Sequence, residues 1–510
     1  MNAVLLALPI VAPLLTAALT LLIRRIIVHR VLGLACLLLV LGDGAVLIYR
    51  TDTFGPVVSQ AGGWPAPMGI TLVADRLSAL LLTTSAAVLS IVLVYAWGQI
   101  ATERHDRDGL RPTRLAFTPI YLVLACGVSF SFLTGDLFNL FVAFEVMLIA
   151  SYVLLTFGAG PQAVRSAMTY IVVSLLASSL FVAAVGLVYT ATGSVNLADL
   201  NSRLTDVPDG VRVALALSLI VVFGIKAALF PLYFWLPDSY PLTPAPVTAV
   251  FAGLLTKVGV YAIIRTQTIA FPHDTNVTSP VLLTLAGATL LVGILGSIAQ
   301  NEIKRMLSFT IVSHIGFMVM GLGFFTAAGL AAATFYVVHH IVTQTTLFCV
   351  EGLIERRTGS SALDEIGGLA RSWPLLGWMF ALPALALAGV PPLSGFIGKV
   401  GLIESGVAGA HWSIVVVAVV VSLLTVYAVA RVWVKAFWGE PTAIVVDEDH
   451  EDGLEVGTVR TPRLMTGATA AAVLLGLALP VIGGPLYALC ARAASDLMAP
   501  QAYLAAVLGG

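Results

Sequence analysis

FGIKAALFPLYFWLPDSYPLTP (residues 223–244) places a lysine, Lys226, inside an apolar run and breaks that run with Pro231 five residues later. Pro237, Pro241, Pro244 and Pro246 crowd the residues beyond it. Proline removes a backbone donor and clashes with the preceding helical turn, so the stretch reads as a helix interrupted beside a buried ammonium group.

The rest of the chain says what surrounds it. Of 510 residues, 59% are hydrophobic and only 10% charged, with a mean hydropathy of +1.00. Soluble domains carry about 25% charged residues, so a soluble globular protein is excluded. A net charge of -1 gives no electrostatic case for nucleic acid. Cys36, Cys126, Cys349 and Cys490 are far apart with no CxxC pair, which argues against an iron–sulfur or zinc site. No cofactor and no redox or hydrolytic centre is expected.

Apolar runs of about 20 residues, the length that spans a bilayer, predict an all-α polytopic membrane protein with about fourteen helices. The span over 374–406 is predicted to be broken, and 464–488 to be the last. Basic residues follow the first helix (Arg24, Arg25, Arg30) rather than precede it, so it is expected to be retained, not cleaved. Loops and helix ends after odd-numbered helices hold seventeen basic residues against six on the other side. By the positive-inside rule both termini then face away from the cytoplasm. The stretches 50–71, 99–114, 191–212 and 439–463 read as connectors. Among them the acidic run VVDEDHEDGLE (445–455) is expected to be a solvated cytoplasmic loop, since nothing orders its carboxylates for a metal.

The chain uses 21 arginines but only five lysines. Lys304 and Lys435 fall at helix ends; Lys226, Lys257 and Lys399 each fall within a hydrophobic span. Arginine stays protonated, whereas burial lets a lysine give up its proton. A charge at the centre of a spanning helix costs about 2.5–3.5 kcal/mol. Snorkelling to the interface is the bland alternative. Lys257, however, is eight residues from Arg265, about 12 Å of helix.

An anion is expected nearby. Glu145, in GDLFNLFVAFEVMLIASYVLLTFG (135–158), stands alone among apolar neighbours and is the expected partner of a buried lysine. Opening such a pair would free the proton of the lysine. A second interruption, LAGVPPLSGFIGKVGLIES (387–405), sets Pro391, Pro392 and Gly395 just before Lys399. Paired interruptions beside titratable residues point to an ion path. His314, His339 and His340 lie in spans between the two breaks. Histidine exchanges protons near neutral pH. Adjacent helical residues point about 100° apart, so only one of His339 and His340 is expected to face a polar path, with His340 favoured. None of these residues has metal-ligand spacing.

The stretches TGDLFNLFVAFEVMLIASYVLL, FGIKAALFPLYFWLPDSYPLTPAPVTAVFAGLLTKVGVYAIIR, IKRMLSFTIVSHIGFMVMG and VPPLSGFIGKVGLIESG resemble the antiporter-like membrane subunits shared by Mrp-type cation/proton antiporters and respiratory complex I. Within that family the chain looks most like the D-type branch of the multisubunit Na+/H+ antiporters, on its length, His339–His340 and RVWVKAFWGEP (431–441). The resemblance implies N-terminal helices over 1–114 and two inverted five-helix repeats at 115–270 and 279–437, each with a broken helix. A loop, a last helix and a tail fill 438–510. It implies proton transfer through Glu145, Lys226, Lys257 and Lys399, small membrane subunits as partners, protons and Na+ as transported ions, and the bacterial plasma membrane as location. The alternative it leaves open is the proton-pumping membrane subunit of a complex I-like or hydrogenase redox complex. One departure is Gln344, where many relatives have a lysine; the central relay would then run through His340 and water.

Overall fold

Among the described residues, thirteen uninterrupted helices of 19 to 32 residues are long and apolar enough to cross a membrane. A computed structural model describes residues 2–102, 111–156, 161–440 and 462–509. The acidic run 445–455 lies outside the described residues. In chain order the helices are α1 (Asn2–Leu22), α2 (Ile26–Phe54), α3 (Arg76–Ile100), α4 (Leu115–Leu133), α5 (Leu137–Leu155), α6 (Ala167–Thr192) and α7 (Asp209–Ala227). They continue with α8 (Ala245–Ala270), α9 (Thr275–Ile298), α10 (Ile303–Gly323) and α11 (Ala327–Thr358). Two shorter helices, α12 (Pro374–Ala388) and α13 (Ser394–Ala408), form the predicted broken span. Then come α14 (Trp412–Trp438) and α15 (Arg463–Val481). Thirteen continuous spans and one broken one meet the expected fourteen. In hydrocarbon every backbone donor and acceptor must be satisfied within its own segment, and helices do this.

The helices α8, α10 and α11 are enclosed by the others. The long helix α11 packs against α3, α8, α10, α12, α13 and α15, which makes it the axis of the bundle. The outer helices turn large apolar side chains outward, among them Leu15, Leu22, Leu176, Leu295, Leu423 and Leu474, as a lipid-facing surface requires.

Two segments differ from expectation. The connector 50–71 forms part of a short antiparallel hairpin, β1 (Val57–Gln60) with β2 (Thr71–Ala74), paired Val57 to Ala74. Long-range contacts pin it: Thr71 O accepts from Gly135 N (2.8 Å) and Thr71 Oγ1 from Asn196 Nδ2 (3.1 Å). The span 464–488 ends early, at Val481, with the non-helical Ile482 separating it from the next helix. Two further helices complete the chain, α16 (Gly483–Met498) and α17 (Gln501–Leu508). Helix α16 returns to the chain's beginning, with Arg492 bound to Asp52 (2.7 Å) and Asp496 to Arg76 (2.5 Å).

Charged residues sort into two layers. One holds Arg76 and Arg492 with Asp52, Arg203 with Asp199, Arg212 with Asp274 and Arg265 with Asp75. The other holds Lys304 with Glu355, Arg305 with Asp238 and Lys435 with Asp364. Among the described residues no ion pair joins one layer to the other, so the bundle has two charged ends and an interior that pairs no charges.

The breaks share one construction. In each, a proline lies four residues past the last helical residue: Pro231 after Ala227, and Pro392 after Ala388. At that separation the proline ring collides with the helical carbonyl. In each, the chain leaves through a left-handed residue, Ala228 (φ 61°) or Gly389 (φ 87°). Reversed hydrogen bonds close the end, Leu229 N to Gly224 O (2.9 Å) and Val390 N to Leu385 O (3.0 Å), as in a Schellman cap. The apolar run continues to Trp235 and Leu236, but α7 ends at Ala227, four residues before Pro231.

Candidate functional site

Because α7 stops at Ala227, Lys226 lies in its last turn, where the helix dipole favours a cation. The side chain is buried, and its ammonium donates to Ser174 O (3.0 Å) and Ser178 Oγ (3.3 Å) on α6. Ser178 Oγ in turn donates to Glu145 Oε1. The direct Glu145–Lys226 ion pair expected from the sequence is therefore replaced by a hydroxyl bridge, since the Ser178 side chain occupies the space between them. Beside Lys226, a void lined by Phe144, Met147, Tyr170, Ser174 and Trp235 admits the centre of a water-sized sphere over about 10 Å³. One water needs roughly 10–15 Å³ on that measure.

Lys257 follows a π-helical turn, Phe251–Leu255, in α8. Such turns are rare and concentrate at functional sites. The ammonium donates to Ala252 O, five residues back. Helix α8 approaches the end of α7 closely at Gly259, where a Cβ would stand 2.8 Å from Ala227 N. This contact brings the Lys257 helix against the first break.

The histidines form one cluster with Tyr336. The His314 and His340 rings are 5.4 Å apart between centroids. Tyr336 OH shares a hydrogen bond with His314 Nδ1 (2.6 Å). His339 Nδ1 meets Ser394 Oγ (2.8 Å) at the start of α13, with Thr343 Oγ1 at 3.2 Å. Of the adjacent pair only His339 meets hydrogen-bonding groups, whereas the sequence favoured His340. Since α11 is enclosed, His340 faces α10 while His339 faces the second break. Neither ring nitrogen of His340 has a hydrogen-bond partner, nor does Nε2 of His314 or His339. Gln344, one turn below His340, donates from Nε2 to Leu307 O (2.9 Å) and Thr310 Oγ1 (3.3 Å) and leaves Oε1 free.

At the second break Lys399 lies after the interruption, on α13, and reaches back to Ala388 O (2.9 Å), a carbonyl of the α12 terminus. The ring of Phe317 covers it, 5.0 Å from Nζ to the centroid, within cation–π range. Gly389 is required here twice over. Its φ is left-handed, and a Cβ would lie 2.8 Å from Lys399 Cδ.

Between its charged ends the bundle thus holds Glu145, Ser178 and Lys226 at the first break, Lys257 on the helix packed against that break, the histidines with Tyr336, and Lys399 at the second break. Among the described residues no group of three or more His, Cys, Asp or Glu is arranged to hold a metal. Sequence reading missed Ser174 and Ser178, although their spacing of four puts them on one face of α6. It missed Tyr336, four residues before His340, and the buried Glu351 near the end of α11.

A family model described as NADH:quinone oxidoreductase/Mrp antiporter, transmembrane, matches residues 134–425. The D-type subunit of the Na(+)/H(+) antiporter of Alkalihalophilus pseudofirmus is 40% identical over 465 residues, 91% of this chain and 90% of that one. Among solved structures, a chain of the Mrp complex from Dietzia sp. superposes with a TM-score of 0.91 at 32% identity, covering 100% of this chain and 99% of that chain. A chain of respiratory complex I from Thermus thermophilus superposes with a TM-score of 0.79 at 25% identity, over 98% of this chain and 100% of that chain.

Proposed function

This chain belongs to the transmembrane family of NADH:quinone oxidoreductase and Mrp antiporter subunits, and from that premise we propose that it carries protons across a bacterial plasma membrane as a subunit of a monovalent cation/proton antiporter. The observation that carries the reading is the buried series itself. Lys226, Lys257 and Lys399 are 7%, 0% and 4% exposed, and among the described residues none of them forms an ion pair with a carboxylate. A permanently charged, unpaired group in hydrocarbon is expensive, so intramembrane ionisable residues mark proton and ion paths.

In this reading Glu145, Ser178 and Lys226 act as a unit. Ser178 Oγ, which accepts from the ammonium and donates to the carboxylate, lets the two ionise together; turning that hydroxyl away leaves Lys226 without its counter-charge and ready to release a proton. Lys257 receives it, His340 and His314 pass it on, and His339 with Lys399 forms the far station. The half-repeats 115–270 and 279–437 supply one break each. The end bearing Lys304, Arg305 and Lys435 faces the cytoplasm, which puts both termini on the opposite side. Na+ is the exchanged cation, and small membrane subunits complete the assembly.

The test is proton flux in everted vesicles, comparing this chain alone with the chain among its co-purified partners, with and without Na+. Na+-dependent flux that requires small membrane partners supports the reading. Flux driven only when a flavin- or iron–sulfur-bearing partner co-purifies assigns the chain to a redox pump instead.

A further inference from the structure

Near its C-terminal end α11 carries a second acid that the lysine–histidine series does not use. Glu351 is 1% exposed, and neither of its carboxylate oxygens has a hydrogen-bond partner. A buried carboxyl with both oxygens unsatisfied is costly and uncommon. One turn further out, Glu355 is 40% exposed at its side chain and binds Lys304 (2.6 Å), itself 8% exposed. Exposure thus falls in steps, from Glu355 through Lys304 to Glu351, from the charged end of the bundle inward.

The groups facing Glu351 come from three sides. Lys304 and Glu302 come from the start of α10, Tyr95 from α3, and Glu355 from α11 itself. Beyond them the Ser361 hydroxyl accepts the Lys304 amide (3.3 Å) and stops short of hydrogen-bond geometry with Glu351. Lys304 pairs with the outer acid, so the inner one has no ion pair of its own. Hydrogen bonds from Ile303 N to Ser361 O (2.9 Å) and Leu363 N to Asn301 O (2.7 Å) tie the start of α10 to the end of α11 and fix this arrangement.

The inner acid also lines up with the histidines. At about 100° per residue, positions 340, 344, 351 and 355 of α11 lie within about 60° of one another. His340, Gln344, Glu351 and Glu355 therefore share one helix face, and the free atoms of the first three, His340 Nδ1 and Nε2, Gln344 Oε1 and both Glu351 oxygens, lie along it.

We propose that Glu351 is the proton-loading carboxyl of this end: it takes a proton from solvent past Glu355 and Lys304, becomes a neutral acid, and gives that proton up along the α11 face toward His340. The inference rests on the proton-carrying reading above. Charge balances at each stage, since carboxylate plus proton gives carboxylic acid, and the acid returns to carboxylate when the imidazole gains the proton.

The experiment uses the whole chain with its partner subunits. Infrared difference spectra, recorded between acidic and alkaline pH, need no transport to occur. A carboxyl band that titrates in the native protein, shifts in Glu351→Asp and vanishes in Glu351→Gln is expected. In vesicles, Glu351→Gln is expected to cut proton flux at least fivefold and flatten its pH profile, with Glu351→Asp restoring most of it. Absence of a titrating band assigned to residue 351, or flux and pH profile within twofold of native in Glu351→Gln, overturns the proposal. Should Glu351→Gln not assemble, the band shift in Glu351→Asp decides alone. If native vesicles carry no proton flux while the band titrates, the transport reading fails and the carboxyl assignment stands.

Discussion

Lys257 and Arg265 sit two turns apart on α8 and are almost equally buried, at 0% and 2% exposed, yet they are housed in opposite ways. Arg265 has a full set of partners. Its guanidinium grips both oxygens of Asp75 (2.6 and 2.8 Å), meets Ser78 Oγ (2.8 Å) and Tyr261 OH (3.1 Å), and stacks within 5.4 Å of the Tyr503 ring centre. Lys257 has one backbone carbonyl of its own helix. Arginine cannot shed its charge, so burying it demands a counter-charge. Lysine can shed its charge, and a site that does not neutralise it leaves that option open. The same helix thus carries a fixed charge that is fully answered and a titratable one that is left unanswered.

The largest expected effect comes from erasing that contrast. Lys257→Arg keeps the charge and removes the titration, and proton flux in vesicles should fall roughly 10²-fold or more, the usual weight of a positioned proton-transfer group. Lys226→Arg should be nearly as inactive as Lys226→Ala, since neither side chain delivers a proton; an arginine variant with native flux would contradict the scheme. Next comes the hydroxyl bridge. Ser178→Ala should reduce flux about tenfold, the scale of a hydrogen bond to a charged group, while Ser178→Thr, which keeps the hydroxyl, should retain most of it. Equal loss in the two variants would show that Ser178 matters for packing alone.

The smallest effect on flux belongs to the fixed charge. Burial pushes the Asp75 carboxyl up, but the Arg265 guanidinium and its hydrogen bonds outweigh this and hold it below the usual carboxylate range. A depressed acid stabilises the fold fully above its unfolded pKa, about 3.9, and that contribution is lost as pH falls through the lower, folded value. Asp75→Asn should therefore lower stability by about 3–5 kcal/mol at neutral pH and remove the Asp75 share of the acid-side decline expected of the native protein. Flux per assembled molecule should stay within about twofold. Thermal unfolding across pH, with flux normalised to assembled protein, checks both parts.

How much of this was legible in the sequence depends on the range of the forces involved. Helix number and the two breaks were readable because apolar length and proline act locally. The positions of Lys226, Lys257 and Lys399 stood out because lysine is so sparingly used. The early end of α7 was not readable, since Ala228 adopts a left-handed conformation that a sequence signals by glycine. Ser178 was overlooked because a serine in a membrane helix usually bonds its own backbone. The pairing of β1 with β2 and the return of α16 to Asp52 are set by contacts across the whole chain. The tail of α11, CVEGLIERR, hid Glu351 because charges are ordinary where a helix leaves the membrane.

The π-helical turn at Phe251–Leu255 has a further geometric consequence. A π turn takes up one residue more than an α turn, so every side chain beyond it is rotated by about 100° relative to an unbroken helix. Upstream of the turn α8 is locked to α11, with Thr345 Oγ1 donating to Ala249 O (3.2 Å). Downstream, Gly259 is set against Ala227 at the end of α7. The one surplus residue lets the helix satisfy two neighbours that no single α-helical phase would serve. It also makes the compass bearing of Lys257 a property of that turn: smoothing it to regular helix, with no change to the lysine, would aim the ammonium at a different wall.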